Sequence, residues 1–274
     1  MKESFSFAVI PDIELGRPVL DLTDRFRGIR EAVIGEGIER RLLDTVNFIN
    51  TLKIDFVVTV GDLTDSALPA QFFRAKEILD NLGLWLPEPG NHDQHPYIKL
   101  PDPLFSRRHS WENESPTGPI IFEEIFQENF QRLSKSLEGW QRQKTFFQNY
   151  TFLYNEVRFI IIDNMSRRHA ILGWPGVIGT PHLYPETRDW LQEQLSQKEE
   201  RKIVISHAPL KRKLLKNLSG NGEVVNIAGH WHQQSLRKSN DITTFVTGAL
   251  YLKPVITVVK VLPDEIQFHS VRIP

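Results

Sequence analysis

Short apolar runs alternate with longer amphipathic stretches along the first third of the chain. Residues 5–10 (FSFAVI) form a β-rich run that stops at Pro11-Asp12. Apolar residues at 38, 42, 43, 46 and 49 recur at helical spacing and predict a helix over 37–52. DFVVTV at 55–60 reads as a buried strand, and 69–82 opens with Pro69 near a first helical turn and runs to Gly83, a second helix. LWLPEP at 84–89 is a short strand with an early stop. Strands alternating with helices in this way predict a sheet flanked by helices.

Two stretches break the rhythm. Residues 15–36 carry Gly, Pro and many charges and read as a loop insertion. Residues 94–149 are rich in Pro, Arg, Gln, Phe and Trp, with a helix-like piece at 121–137, and are expected as an insertion or cap over one end of the sheet. Strands resume with YTFLY and RFIIID at 150–163, a hairpin turning at Asn155-Glu156. A helix at 185–198 follows, then strands at 201–206, 223–228, 242–247, 254–261 and 265–271, all within one domain spanning 1–274.

Composition narrows the choices. With 274 residues, 40% hydrophobic and 24% charged, the chain can bury one large core. A net charge of −1 supplies no basic field for long nucleic acid or for a membrane surface. Apolar runs stay far below the ~20 residues of a membrane span, and the N-terminal run is shorter than the ~7–15 of a secretory signal. The expected location is therefore cytoplasmic. Cysteine is absent, which excludes disulfides, thiolate nucleophiles and zinc–thiolate sites. A metal would have to sit on His, Asp, Glu and Asn, a donor set suited to manganese, iron, magnesium or zinc.

Such residues gather where strands stop. VIPDIE places Asp12 and Glu14 after the first strand, VTVGDLTD places Asp62 and Asp65 after the second, and GNHD places Asn91, His92 and Asp93 after the third. VISHAP places His207, and NIAGHWH places His230 and His232, after two later strands. Loops at the carboxyl ends of parallel strands meet in one crevice, so groups distant in sequence can form one site. Each motif alone is an ordinary turn or a core histidine; five together on strand ends are not.

The series resembles the calcineurin-like metallophosphoesterases, whose pattern is D-x-H, G-D-x-x-D, G-N-H-D/E, H and G-H-x-H. The resemblance implies a four-layer α/β/β/α sandwich and two divalent ions, with manganese favoured. It implies Asp62 as the bridge between the ions, Asp12, Glu14 and His232 on one, and Asn91, His207 and His230 on the other. A water activated between them would attack phosphorus in line, with His92 as the acid oriented by Asp65 and Asp93 as a loop-stabilising group. Glu14 departs from the usual His; relatives that split ADP-ribose or CDP-alcohols carry Gln there. The implied substrate is a small phosphorylated or nucleotide-like molecule. A phosphodiester or nucleotide-like ester leads, with a pyrophosphate, a phosphomonoester or a non-catalytic scaffold on the same fold as alternatives. His95, Arg107, Arg108 and Arg167 are candidates for contacting it, since arginine pairs with phosphate and stacks on bases.

Overall fold

A computed structural model describes residues 3–16, 36–94, 117–143, 147–166, 181–199, 201–219 and 222–274. Strands β1 (Phe5–Ile10), β2 (Phe56–Thr59), β3 (Trp85–Leu86), β11 (Val255–Val261) and β12 (Ile266–Arg272) make a five-stranded sheet in the order β12-β11-β1-β2-β3. A second sheet of seven strands contains β4 (Glu138–Arg142), β5 (Tyr150–Tyr154), β6 (Val157–Ile162), β7 (Arg201–Ser206), β8 (Glu223–Ala228), β9 (Ser235–Ser239) and β10 (Ile242–Val246), in the order β4-β5-β6-β7-β8-β10-β9. β1, β2 and β3 run parallel, as do β6, β7, β8 and β10. The first sheet is therefore parallel from β1 to its β3 edge and antiparallel on its other side, and the second has a parallel centre with antiparallel strands at both margins.

An aromatic wall joins the sheets. Phe7 stacks on Phe56 at 5.1 Å, and both meet the edge of Phe159 from the other sheet at 5.4 and 5.2 Å. Phe152 stacks on Phe159 at 4.9 Å. The far side of the second sheet, with Ile160, Ile162, Val204 and Val224, packs against Trp190 and Leu191 of α4 (Pro185–Leu195) and Leu215 of α5 (Arg212–Leu218). Helices α1 (Glu36–Ile49), α2 (Pro69–Leu79) and α3 (Thr117–Ser136) pack Ile38, Leu42, Phe72 and Phe126 into the cluster that includes the first sheet. The layers are α/β/β/α.

Local sequence accounts for the elements. All six residues of β6 are buried, as a near-continuous apolar run requires when both faces of a sheet are covered. In α1 the buried residues Ile38, Leu42, Val46 and Ile49 form one stripe. The β5–β6 hairpin turns at Asn155 (φ 49°) and Glu156 (φ 67°), the two left-handed positions of a type I′ turn.

Several elements differ from the sequence reading. β3 has only two residues, because Pro87 and Pro89 remove two ladder donors. Within 94–149, residues 117–136 form α3, whose Phe122, Phe126 and Leu133 lie in the main core, and 138–142 form β4 on the margin of the second sheet. Sequence reading misses β4, α5 and β9. β9 is SLRKS on a sheet edge, largely exposed and without apolar alternation, and α5 spans barely two turns. No helix among the described residues is long and apolar enough to cross a membrane.

Candidate metal centre

The parallel strands of both sheets end at the same rim. Loops after β1 and β2 are zipped together by backbone bonds: Glu14 N–H to Asp62 O (2.7 Å), Leu15 N–H to Leu63 O (3.1 Å) and Asp65 N–H to Leu15 O (2.9 Å). Four of the candidate ligands hold left-handed backbone: Glu14 at φ 49°, Asp62 at 49°, His230 at 68° and His232 at 54°. Few non-glycine residues adopt this region, and each instance costs on the order of 1–3 kcal/mol. Strain so concentrated turns carboxylates and imidazoles inward where regular strand would alternate them. The motif glycines leave room for it. A Cβ on Gly61 would lie 2.4 Å from His207 Nδ1, one on Gly90 would lie 2.1 Å from Asp62 Oδ1, and one on Gly229 would lie 2.4 Å from Asp12 Oδ2.

Asp12, Glu14, Asp62, Asn91, His207, His230 and His232 come together. His207 Nε2 lies 3.2 Å from Asp62 Oδ2 and 2.9 Å from Asn91 Oδ1. His230 Nδ1 lies 2.9 Å from the same Asn91 oxygen and 3.3 Å from His207 Nε2. His232 Nε2 lies 3.4 Å from Asp12 Oδ1 and 3.6 Å from Glu14 Oε1. Asp12 Oδ1 accepts the His230 backbone N–H at 2.9 Å, and Asp62 Oδ1 accepts that of His92 at 2.8 Å. Asp12, Asp62 and His207 form one compact donor group, Glu14, Asp62 and His232 a second, and Glu14, Asp65 and His92 a third. His92 Nδ1 donates to the backbone oxygen of Asp65 at 2.8 Å, while the Asp65 carboxylate stands 4.0 Å away.

The donors fit cations. Asp12, Glu14 and Asp62 are buried side by side, and Asp12 Oδ2 accepts no hydrogen bond. Buried carboxylates in such numbers repel one another unless positive charge joins them. Burial pushes His207 down, but the Asp62 and Asp12 carboxylates outweigh it and raise its pKa to about 10. Burial likewise opposes ionisation of Asp62, yet the charges of His207 and His92 hold it well below the usual carboxylate range. His230 is lowered to about 4 by burial and by the charge of His207, so at neutral pH it is a neutral donor. His207 Nδ1 donates to Val60 O at 2.7 Å, which directs Nε2 into the site.

Three further residues escape sequence reading or gain a role. Tyr251 sits in the loop after β10, its hydroxyl 2.9 Å from His232 Nδ1, so that Nε2 is the atom turned to the carboxylates. That loop is tied to the first motif through Leu250 N–H to Asp12 O at 3.1 Å. Asp93 accepts the N–H groups of Leu63, Thr64 and Gly90 and the Thr64 hydroxyl, bracing the second and third motifs. Glu88, two residues before Gly90, is fully buried; burial first, then the carboxylates of Asp163 and Asp12, raise its pKa well above the usual carboxylate value against the opposing charge of His207. His95, Arg107, Arg108 and Arg167 lie outside the described residues.

A profile described as calcineurin-like phosphoesterase matches residues 5–234. Among solved structures, a dimetal phosphatase from Danio rerio superposes with TM-score 0.61 at 13% identity, covering 98% of this chain and 99% of that one. Purple acid phosphatase PPD1 from yellow lupin (Lupinus luteus) gives TM-score 0.61 at 11% identity over 99% of this chain and 52% of its own. A putative 5′-nucleotidase from Staphylococcus aureus gives 0.56 at 13% identity over 99% and 54%. The chain thus spans about half the length of the latter two. No curated protein sequence matches it significantly.

Loading the site requires displacement of the proton from His207 Nε2. Calorimetric manganese titrations in buffers of different ionisation enthalpy should therefore show about one proton released at pH 8. Apparent affinity should rise about tenfold per pH unit between pH 7 and 9, because the proton competes throughout the range below a pKa of about 10. Tyr251→Phe should weaken manganese binding about tenfold in the same titration, by removing the group that fixes the His232 ring.

Proposed function

We propose, from the premise that this chain belongs to the calcineurin-like phosphoesterase family and is a hydrolase of phosphoric esters, that it cleaves a phosphodiester or nucleotide-like ester at a centre of two divalent cations. The observation that carries the reading is the convergence of five strand-end motifs on one buried cluster, with an Asp12 oxygen that accepts no hydrogen bond. Asp12, Glu14 and His232 would hold one ion, Asn91, His207 and His230 the other, and Asp62 both. Bound cations would neutralise phosphoryl oxygens and acidify the attacking water.

The remaining steps belong to side chains. Asn91 offers a neutral amide oxygen, which limits the negative charge of the donor set. His92 is held through Nδ1 by the Asp65 carbonyl, leaving Nε2 as the atom that would protonate the departing oxygen. A main-chain carbonyl fixes the tautomer as well as a carboxylate would, without adding charge. Glu14 favours a second reading, a pyrophosphatase of the ADP-ribose or CDP-alcohol type. Its carboxylate lies within one cluster with Asp65 and His92 and within another with Asp62 and His232, so it borders both the cation site and the acid. The Staphylococcus aureus neighbour, a putative 5′-nucleotidase, supports a small nucleotide substrate under either reading.

His92→Ala tests the acid. A p-nitrophenolate leaves without a proton, whereas a ribose or other alkyl alkoxide needs one. The variant should slow alkyl-ester hydrolysis by about 10²–10⁴ and nitrophenyl-ester hydrolysis far less, with metal content by elemental analysis unchanged. Equal losses on both leaving groups would remove the acid role. A separate comparison addresses Glu14. Its hard oxygen donor should make manganese or magnesium a better activator than zinc, and Glu14→His should shift the order toward zinc. An unchanged activation order would count against Glu14 as a ligand.

A further inference from the structure

The loop that supplies His230 and His232 also presents an indole to solvent. Trp231 is 60% exposed, although it lies between two residues that line the site. Left-handed backbone on both sides of it fixes the arrangement, with φ 68° at His230 and 54° at His232. Its own N–H is tied back to Gly229 O at 2.8 Å, and Gly229 N–H to His207 O at 2.8 Å. The two imidazoles turn in toward Asn91 and Asp12, and the indole is left outside, its ring 5.2 Å from that of His230.

Single exposed apolar side chains are common on protein surfaces. Phe73 and Ile120, 61% and 46% exposed, are of that kind, since they stand on α2 and α3 and neither is flanked by candidate ligands. Trp231 differs in place and in rigidity. It stands at the rim of the cluster, on backbone pinned by the strain and hydrogen bonds of the ligand loop. Leu252, 54% exposed, adds apolar surface from the loop whose Tyr251 holds His232. A flat aromatic face so fixed meets a flat partner with little entropy to lose.

We propose that Trp231 is a specificity-determining residue, a platform on which the nucleobase of a nucleotide-like substrate stacks while its phosphoryl group lies at the metal centre. The proposal rests on the phosphohydrolase reading and names the substrate class within it. A ring centred 5.2 Å from that of His230, itself a candidate ligand, suits a base joined to phosphate through ribose. A quaternary ammonium could also pack on indole. Beside bound cations its charge is repelled, whereas a neutral base is not. Stacking of a base on an aromatic side chain is sequence-tolerant, so the platform would select for the presence of a base rather than for one base.

Equilibrium binding of product-like probes separates the outcomes. Wild type, Trp231→Ala and Trp231→Phe, each loaded with manganese and matched for metal content, are titrated with AMP, CMP, ribose 5-phosphate and phosphocholine. Trp231→Ala should lower the affinity for AMP and CMP relative to ribose 5-phosphate by about tenfold, and Trp231→Phe should restore most of that ratio. The ratio is insensitive to any loop disturbance that weakens all phosphates alike. An AMP-to-ribose 5-phosphate ratio unchanged by Trp231→Ala overturns the proposal. Selective loss of phosphocholine also overturns it, by assigning the indole to a cation. Wild-type hydrolysis of base-free and base-bearing esters is measured in parallel. No hydrolysis of either sinks the phosphohydrolase reading; hydrolysis with an unchanged binding ratio sinks the platform alone.

Discussion

Three carboxylates that would repel one another are buried together, and the rest of the molecule is arranged around that fact. Asp12, Glu14 and Asp62 come from loops after adjacent parallel strands, with exposures of 0%, 0% and 1%. Desolvated like charges at such range force a proton or a cation into the group. The group that answers them is His207, which crosses from the other sheet to within 3.2 Å of Asp62 and whose pKa the carboxylates raise to about 10. The same imidazole becomes a donor when a cation takes over the neutralising charge. Glu88 meets the same problem: its burial and the nearby Asp163 and Asp12 raise its pKa, and the charge of His207 opposes them.

The donors divide by sheet. Every candidate oxygen donor, Asp12, Glu14, Asp62 and Asn91, follows a strand of the five-stranded sheet. Every nitrogen donor, His207, His230 and His232, follows a strand of the seven-stranded sheet. Neither sheet carries a complete site, so the geometry depends on how the two are docked. The wall of Phe7, Phe56, Phe152 and Phe159 sets that docking, because rings meeting edge to face tolerate little sliding. A cation held by groups from both sheets would also tie the layers together, so core packing and ligand chemistry would act on the same interface.

Much of this was legible in the sequence because the informative residues lie at strand ends, where polarity interrupts an apolar run abruptly. Asp12 after FSFAVI and His207 after RKIVIS are examples. The buried strands were legible for the same reason. What escaped depended on surroundings rather than on local pattern. β9 is held in the second sheet by its antiparallel partner β10 and shows no alternation of its own. The carbonyl that orients His92 has no residue type, so sequence could suggest only the Asp65 side chain. Tyr251 was hidden because its loop follows a strand that ends in small neutral residues, TGAL, rather than in charged ones.

The three motif glycines have a consequence for how such a site changes over generations. Gly61 makes way for His207, Gly90 for Asp62 and Gly229 for Asp12, so each lies against a candidate ligand that another segment supplies. A substitution in one segment is therefore first felt as a collision in a second, far off in the chain. Drift cannot erode the five segments one at a time with proportionate loss. It meets a lock whose parts are retained together, and once one is lost the others no longer have a shared shape to preserve.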